Sequence, residues 1–121
     1  YWEFHVTPSG CTRDYFYARR GSGGEKRWMK YESGMAAKAT VVGTFDDWSD
    51  RDNKWIAEMR LPWSAFDRWG GKPQVGDAWR FLVSRYDYSV HLEDGSELSA
   101  AAPLPWQNYH LFEYYPYVVF R

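Results

Sequence analysis

The sequence predicts an all-β chain folded as an antiparallel β-sandwich, on three observations. Residues 54–61 (KWIAEMRL) place Trp55, Ala57, Met59 and Leu61 on one side of an extended chain and Ile56, Glu58 and Arg60 on the other. Segments of this length recur along the chain between Gly- and Pro-containing turns. A helical period is almost absent, and short strands at such spacing pack as sandwiches.

The elements follow in order. Residues 1–7 (YWEFHVT) alternate as a strand, with Glu3, His5 and Thr7 opposite Phe4 and Val6, and Pro8-Ser9-Gly10 closes it. Residues 13–19 form a second strand, followed by the Gly-rich loop 20–24 and a short strand over 28–31. Residues 36–43 make the next strand, and the polar tract 46–53 connects it to the strand 54–61. Pro62 cannot donate to a ladder and halts that strand, so 64–69 is a turn or short helix before a Gly-Gly-Lys-Pro loop. A Gly76-Asp77 turn opens a strand over 78–87. Residues 89–104 are mixed, with a turn at Glu93-Asp94-Gly95-Ser96, and 117–120 is the last strand. Trp55, Met59, Leu61, Phe81 and Val83 are the expected core, with Phe81 and Val83 on the face of Trp79 and Leu82 opposite.

At 121 residues the chain is long enough for one core, so 1–121 reads as a single domain, and no internal repeat is present. Aromatics reach 21%, rich in Trp and Tyr, whose NH and OH groups need partners; some should be exposed. A net charge of −1 with interspersed signs gives no electrostatic reason for nucleic acid or an anionic membrane, and no apolar run reaches membrane-spanning length. Cys11 is the single cysteine, so no internal disulfide can form. Tyr1 already lies in a strand pattern, from which we expect that N-terminal strands are missing and that a second chain or a preceding segment completes the sandwich.

Several groupings could carry chemistry. Asp46, Asp47, Asp50 and Asp52 offer carboxylates to calcium, but the tract lacks the central Gly and distal Glu of an EF-hand loop, and a solvated hairpin explains it better. Glu3, Glu58, Glu97 and Glu113 are candidates for a glycosidase pair, which is defined by a distance across a cleft; the favoured reading is non-catalytic. His5, His91 and His110 are too dispersed for a local metal motif. The loop Pro103-Leu104-Pro105-Trp106-Gln107-Asn108-Tyr109-His110 suits a sugar: the C–H face of a pyranose stacks on an aromatic plane, Trp106 or Tyr109, while Gln107, Asn108 and His110 reach its hydroxyls. The alternative is that this loop closes one end of the sandwich with Trp106 as its plug.

The ordered blocks YWEFHVTP, WIAEMRLPWSAF, GDAWRFLVSRYD, ELSAAAPLPWQNYH and YVVF resemble family 9 carbohydrate-binding modules and their relatives in the wider DOMON-like group. The resemblance implies a secreted or cell-surface, non-catalytic sandwich that binds a glycan or polysaccharide between aromatic side chains. It nominates His5 and Thr7 on the first strand, Ser84, Tyr86 and Asp87 on the later one, and Trp106 or Tyr109 in the closing loop. His5 and Thr7 stand where the sugar binders of that family carry Arg and Asn. Arg85 belongs to the same short polar pattern, but by alternation it lies opposite Ser84 and Tyr86, so they share a ligand only if the strand bulges. No cofactor follows from the sugar-binding reading. The same group also includes b-type cytochromes, which makes haem the alternative, with Met29, Met35, Met59, His5, His91 and His110 as possible axial ligands. A structural assembly module is the third reading.

Overall fold

The computed structural model describes residues 1–22, 31–47 and 49–121. The strand expected over 28–31 lies outside them except for Tyr31, as does Met29. Among the described residues the chain is all-β, with eight strands in antiparallel pairs and two short 3-10 turns. The strands are β1 (Trp2–Val6), β2 (Thr12–Phe16), β3 (Ala36–Val42), β4 (Lys54–Arg60), β5 (Ala78–Arg80), β6 (Ser84–Tyr88), β7 (Ser96–Ala100) and β8 (Tyr117–Val119). The chain forms two compact units, Tyr1–Lys72 and Pro73–Arg121, which divide in the expected Gly-Gly-Lys-Pro loop.

In the first unit β1 and β2 pair with Trp2 opposite Phe16 and Val6 opposite Thr12, and Gly10, at φ 83°, closes the turn. The alternation of β1 sorts its side chains as expected. Trp2 and Phe4 meet Phe66 edge-on at 5.1 and 6.1 Å, and Trp69 stacks on Phe16 at 3.6 Å. This aromatic cluster, with buried Phe16, Ala65 and Phe66, is the core of the unit. Pro62 ends β4 and the 3-10 turn Trp63–Phe66 follows, delivering Ala65 and Phe66 into that core. Tyr31 closes one side by donating to Ala65 O at 2.8 Å. Burial, reinforced by the Asp14 carboxylate, pushes its phenol up to about 12, while the Trp2 indole NH acts in the opposite sense without reaching hydrogen-bond geometry.

β3 and β4 pair over their full length, Ala36 opposite Arg60 and Val42 opposite Lys54. The faces divide as the period dictates, but the expected depth is wrong. Trp55 and Leu61 are half-buried, whereas Met59 is 47% exposed and is not a core residue. Its cross-strand partner is Ala37, and the next rung on that face pairs Ala39 with Ala57, so small side chains flank it. Their connection turns back on itself through Asp52, whose carboxylate accepts from Thr44 N at 2.7 Å. A Cβ on Gly43 would lie 1.9 Å from that carboxylate oxygen, which is why glycine stands there.

In the second unit the strand expected over 78–87 divides between two partners. β5 pairs with β8 (Ala78 opposite Val119) and β6 with β7 (Ser84 opposite Ala100). Residues 81–83 between them carry neither turn nor bend; Phe81 N donates to Pro116 O at 2.9 Å and Ala101 N to Val83 O at 2.8 Å. In extended chain, backbone groups two residues apart point the same way. One continuous strand therefore pairs along one edge, first with β8 and then with β7. The opposing side is a single strand interrupted by an excursion over residues 102–115. Phe81 and Val83, expected in the core, are exposed on the face of Trp79, which is half-buried against Phe120 at 5.2 Å. The buried residues of this unit are Tyr109 and Leu111, both on the excursion.

Candidate functional site

The excursion is built onto one face of the β6–β7 ribbon. Period two puts Ser84, Tyr86 and Tyr88 on that face, with Ala100, Leu98 and Ser96 as their cross-strand partners. Arg85 and Asp87 face the other way and pair with each other at 2.6 Å. The register is one to one with no bulge, so the candidates on β6 form two sets on opposite faces. Glu97 lies opposite Asp87 and shares that far face.

Tyr109 ties the excursion down. It is 8% exposed, and its hydroxyl shares one proton between Ser99 O at 2.8 Å and Arg85 O at 3.0 Å, the two carbonyls of a single rung. Tyr115 donates to Tyr109 O, and Asn108 closes the turn by accepting from His110 N at 2.9 Å. Burial, then the neighbouring Tyr86, pushes the Tyr109 phenol up from its ordinary range.

Between this anchor and β7 lies a hollow of about 220 Å³ with Leu98, Ala100 and Leu104 as apolar walls and Trp106, Gln107 and Tyr109 from the loop. Trp106 is 58% exposed. Tyr86 meets the Tyr109 ring edge-on at 5.0 Å, and Tyr88, 74% exposed, lies parallel to Tyr86 within 5° at 6.1 Å. The result is an aromatic surface beside an apolar hollow, with a carboxamide at its edge.

The structure thus brings together Ser84, Tyr86, Trp106 and Tyr109 and assigns them different parts. Trp106 is the accessible aromatic plane, and Tyr109, buried and bonded, is its support. Asn108 uses its carbonyl oxygen within the loop, and the half-buried His110 is held there through its amide. His5 and Thr7 belong to the other unit. His5 is exposed on the polar face of β1, 3.5 Å from Glu3 and edge-on to Tyr15 at 5.6 Å. The Thr7 hydroxyl is a turn cap, 2.7 Å from Ser9 Oγ and accepting from Cys11 N at 3.1 Å. Sequence reasoning missed Tyr88 and the walls from β7. Continuing the alternation Ser84, Tyr86 by two residues would have found Tyr88.

The acidic tract uses its carboxylates locally. Asp47 accepts from Ser49 N at 2.9 Å and Ser49 Oγ at 2.6 Å, and the Ser49 hydroxyl followed by its amide holds the carboxyl below its usual range. Among the described residues no three His, Cys, Asp or Glu side chains gather as a metal-binding group. No described His or Met lines the hollow. Comparison with known families, with curated proteins and with solved structures returns no match.

Proposed function

We propose that the chain is a non-catalytic carbohydrate-binding β-sandwich of the family 9-like, DOMON-related type, acting in a secreted or cell-surface protein. The observation that carries the reading is the exposed Trp106, which lines the apolar hollow together with Tyr109, the ring that meets Tyr86 of the parallel Tyr86–Tyr88 pair. A pyranose has an apolar C–H face and a hydroxylated rim, and this surface offers an aromatic plane with Gln107 at its edge. The polar face of Arg85, Asp87 and Glu97 is turned away from the hollow, so its carboxylates do not serve a sugar bound there. This supports binding without turnover.

The test is calorimetric titration with soluble oligosaccharides chosen from a glycan array. Trp106→Ala should weaken binding by about 1–3 kcal/mol, as loss of an aromatic anchor does at other interfaces. Absence of binding to any glycan sinks the proposal, and release of sugar from polysaccharide by pure protein refutes its non-catalytic part. A Soret band in the purified protein replaces it with the haem reading.

A further inference from the structure

We propose that the chain self-associates through the open edge of residues 78–88, pairing antiparallel with the same edge of a second copy. Along the continuous strand, the backbone groups of Phe81, Val83 and Arg85 are directed to β8 and β7. Those of Ala78, Arg80, Leu82 and Ser84 point to the opposite edge, along which no strand pairs among the described residues.

Such an edge is a template for another strand unless it is blunted by Pro, Lys, a bulge or a cover. β3 and β4 carry Lys38, Lys54, Glu58 and Arg60, and Pro116 precedes β8. The stretch 78–88 contains no Pro, Gly or Lys. It is also self-complementary. A two-fold axis at Arg80 would set that residue opposite its own copy, and one at Leu82 would set Asp77 opposite Asp87. An axis at Phe81 sets Asp77 opposite Arg85 at both ends, Trp79 opposite Val83, and Phe81 opposite its copy. Its hydrogen-bonded rungs are then Ala78 with Ser84 and Arg80 with Leu82, the residues whose backbone groups are directed outward. The exposed Phe81 and Val83 become covered, and Gly76 falls opposite Tyr86, so no side chain is set against that ring. Opposite charge and a symmetric aromatic pair thus identify a second copy as the occupant.

Sedimentation equilibrium and light scattering on the 121-residue chain should give twice its 14.3 kDa. Ser84→Pro and Ala78→Pro each delete an outward amide that makes no backbone bond among the described residues; both should halve the mass while leaving the circular dichroism unchanged. Arg85→Pro, which removes an amide facing β7, should instead unfold the ribbon. A monomeric wild type at high concentration overturns the proposal. So do proline variants that stay dimeric, and so does unfolding of Ser84→Pro like that of Arg85→Pro, since it would mean that the edge is already paired.

Discussion

Replacing Tyr109 by Phe separates the anchor from the binding surface. The hydroxyl bonds two carbonyls, Ser99 O at 2.8 Å and Arg85 O at 3.0 Å. Val83 O accepts from Ala101 N two rungs away, so by alternation Arg85 and Ser99 also form a rung whose carbonyls accept ladder bonds. Removing the hydroxyl therefore leaves second lone pairs unfilled rather than orphaned groups, and the loss is that of one net hydrogen bond, about 1 kcal/mol. Tyr109→Ala also removes a buried ring packed edge-on against Tyr86, and should cost about 3–5 kcal/mol, as aromatic truncations in cores do. Urea unfolding followed by tryptophan fluorescence measures both. The raised phenol pKa has a definite sign: its stabilisation is complete below the ordinary tyrosine range and is lost as pH rises through the folded value. Tyr109→Phe should remove that alkaline slope while leaving glycan affinity intact. If Phe costs as much as Ala, or weakens binding as Trp106→Ala does, the hydroxyl is not the structural tie argued from the geometry.

The remaining predictions concern separate sites. Tyr31→Phe should flatten the loss of stability that we expect between about pH 10 and 12, since a phenol raised to about 12 favours the folded state only while protonated; alkaline denaturation of the two proteins compares them. Gly43→Ala should destabilise by about 1–3 kcal/mol by displacing the Asp52 carboxylate from Thr44 N, read from thermal or urea midpoints. Tyr88→Ala should weaken oligosaccharide binding without changing the urea midpoint, because Tyr88 is largely exposed and its ring lies parallel to that of Tyr86. Addition of a chelator should leave the melting temperature unchanged if Asp47 and Asp52 act as turn caps, and a drop would reopen the calcium reading.

Much of the local structure was legible in the sequence. Alternation placed Glu3 and His5 opposite Phe4, separated Met59 from Glu58 and Arg60, and predicted that Arg85 and Tyr86 could not share a ligand without a bulge. Turn chemistry located the bend before Ser96 and the stop at Pro62. β7 was not legible: Ser96-Glu97-Leu98-Ser99-Ala100 has no β-branched or aromatic residue, and it is a strand because β6 pairs with it. Of the candidate site, the loop aromatics and Tyr86 were found, and the division of labour between Trp106 and Tyr109 was not.

The reason is the range of the forces involved. Which side of an extended chain a side chain occupies is decided by backbone geometry over two residues, so the sequence alone determined it, along with the all-β class and most turns. How deeply a side chain is buried depends on what packs over it from distant sequence. Met59, Phe81 and Val83 stand on the faces their alternation assigns and remain exposed, while Phe66, Tyr109 and Leu111, from turns and a loop, are buried. Only the tertiary structure decided that residues 78–88 change partners midway, and that an excursion then lays Trp106 and Tyr109 on the face of Tyr86. Strand pairing joins residues far apart in the chain, and a two-residue period holds no information about which of them will meet.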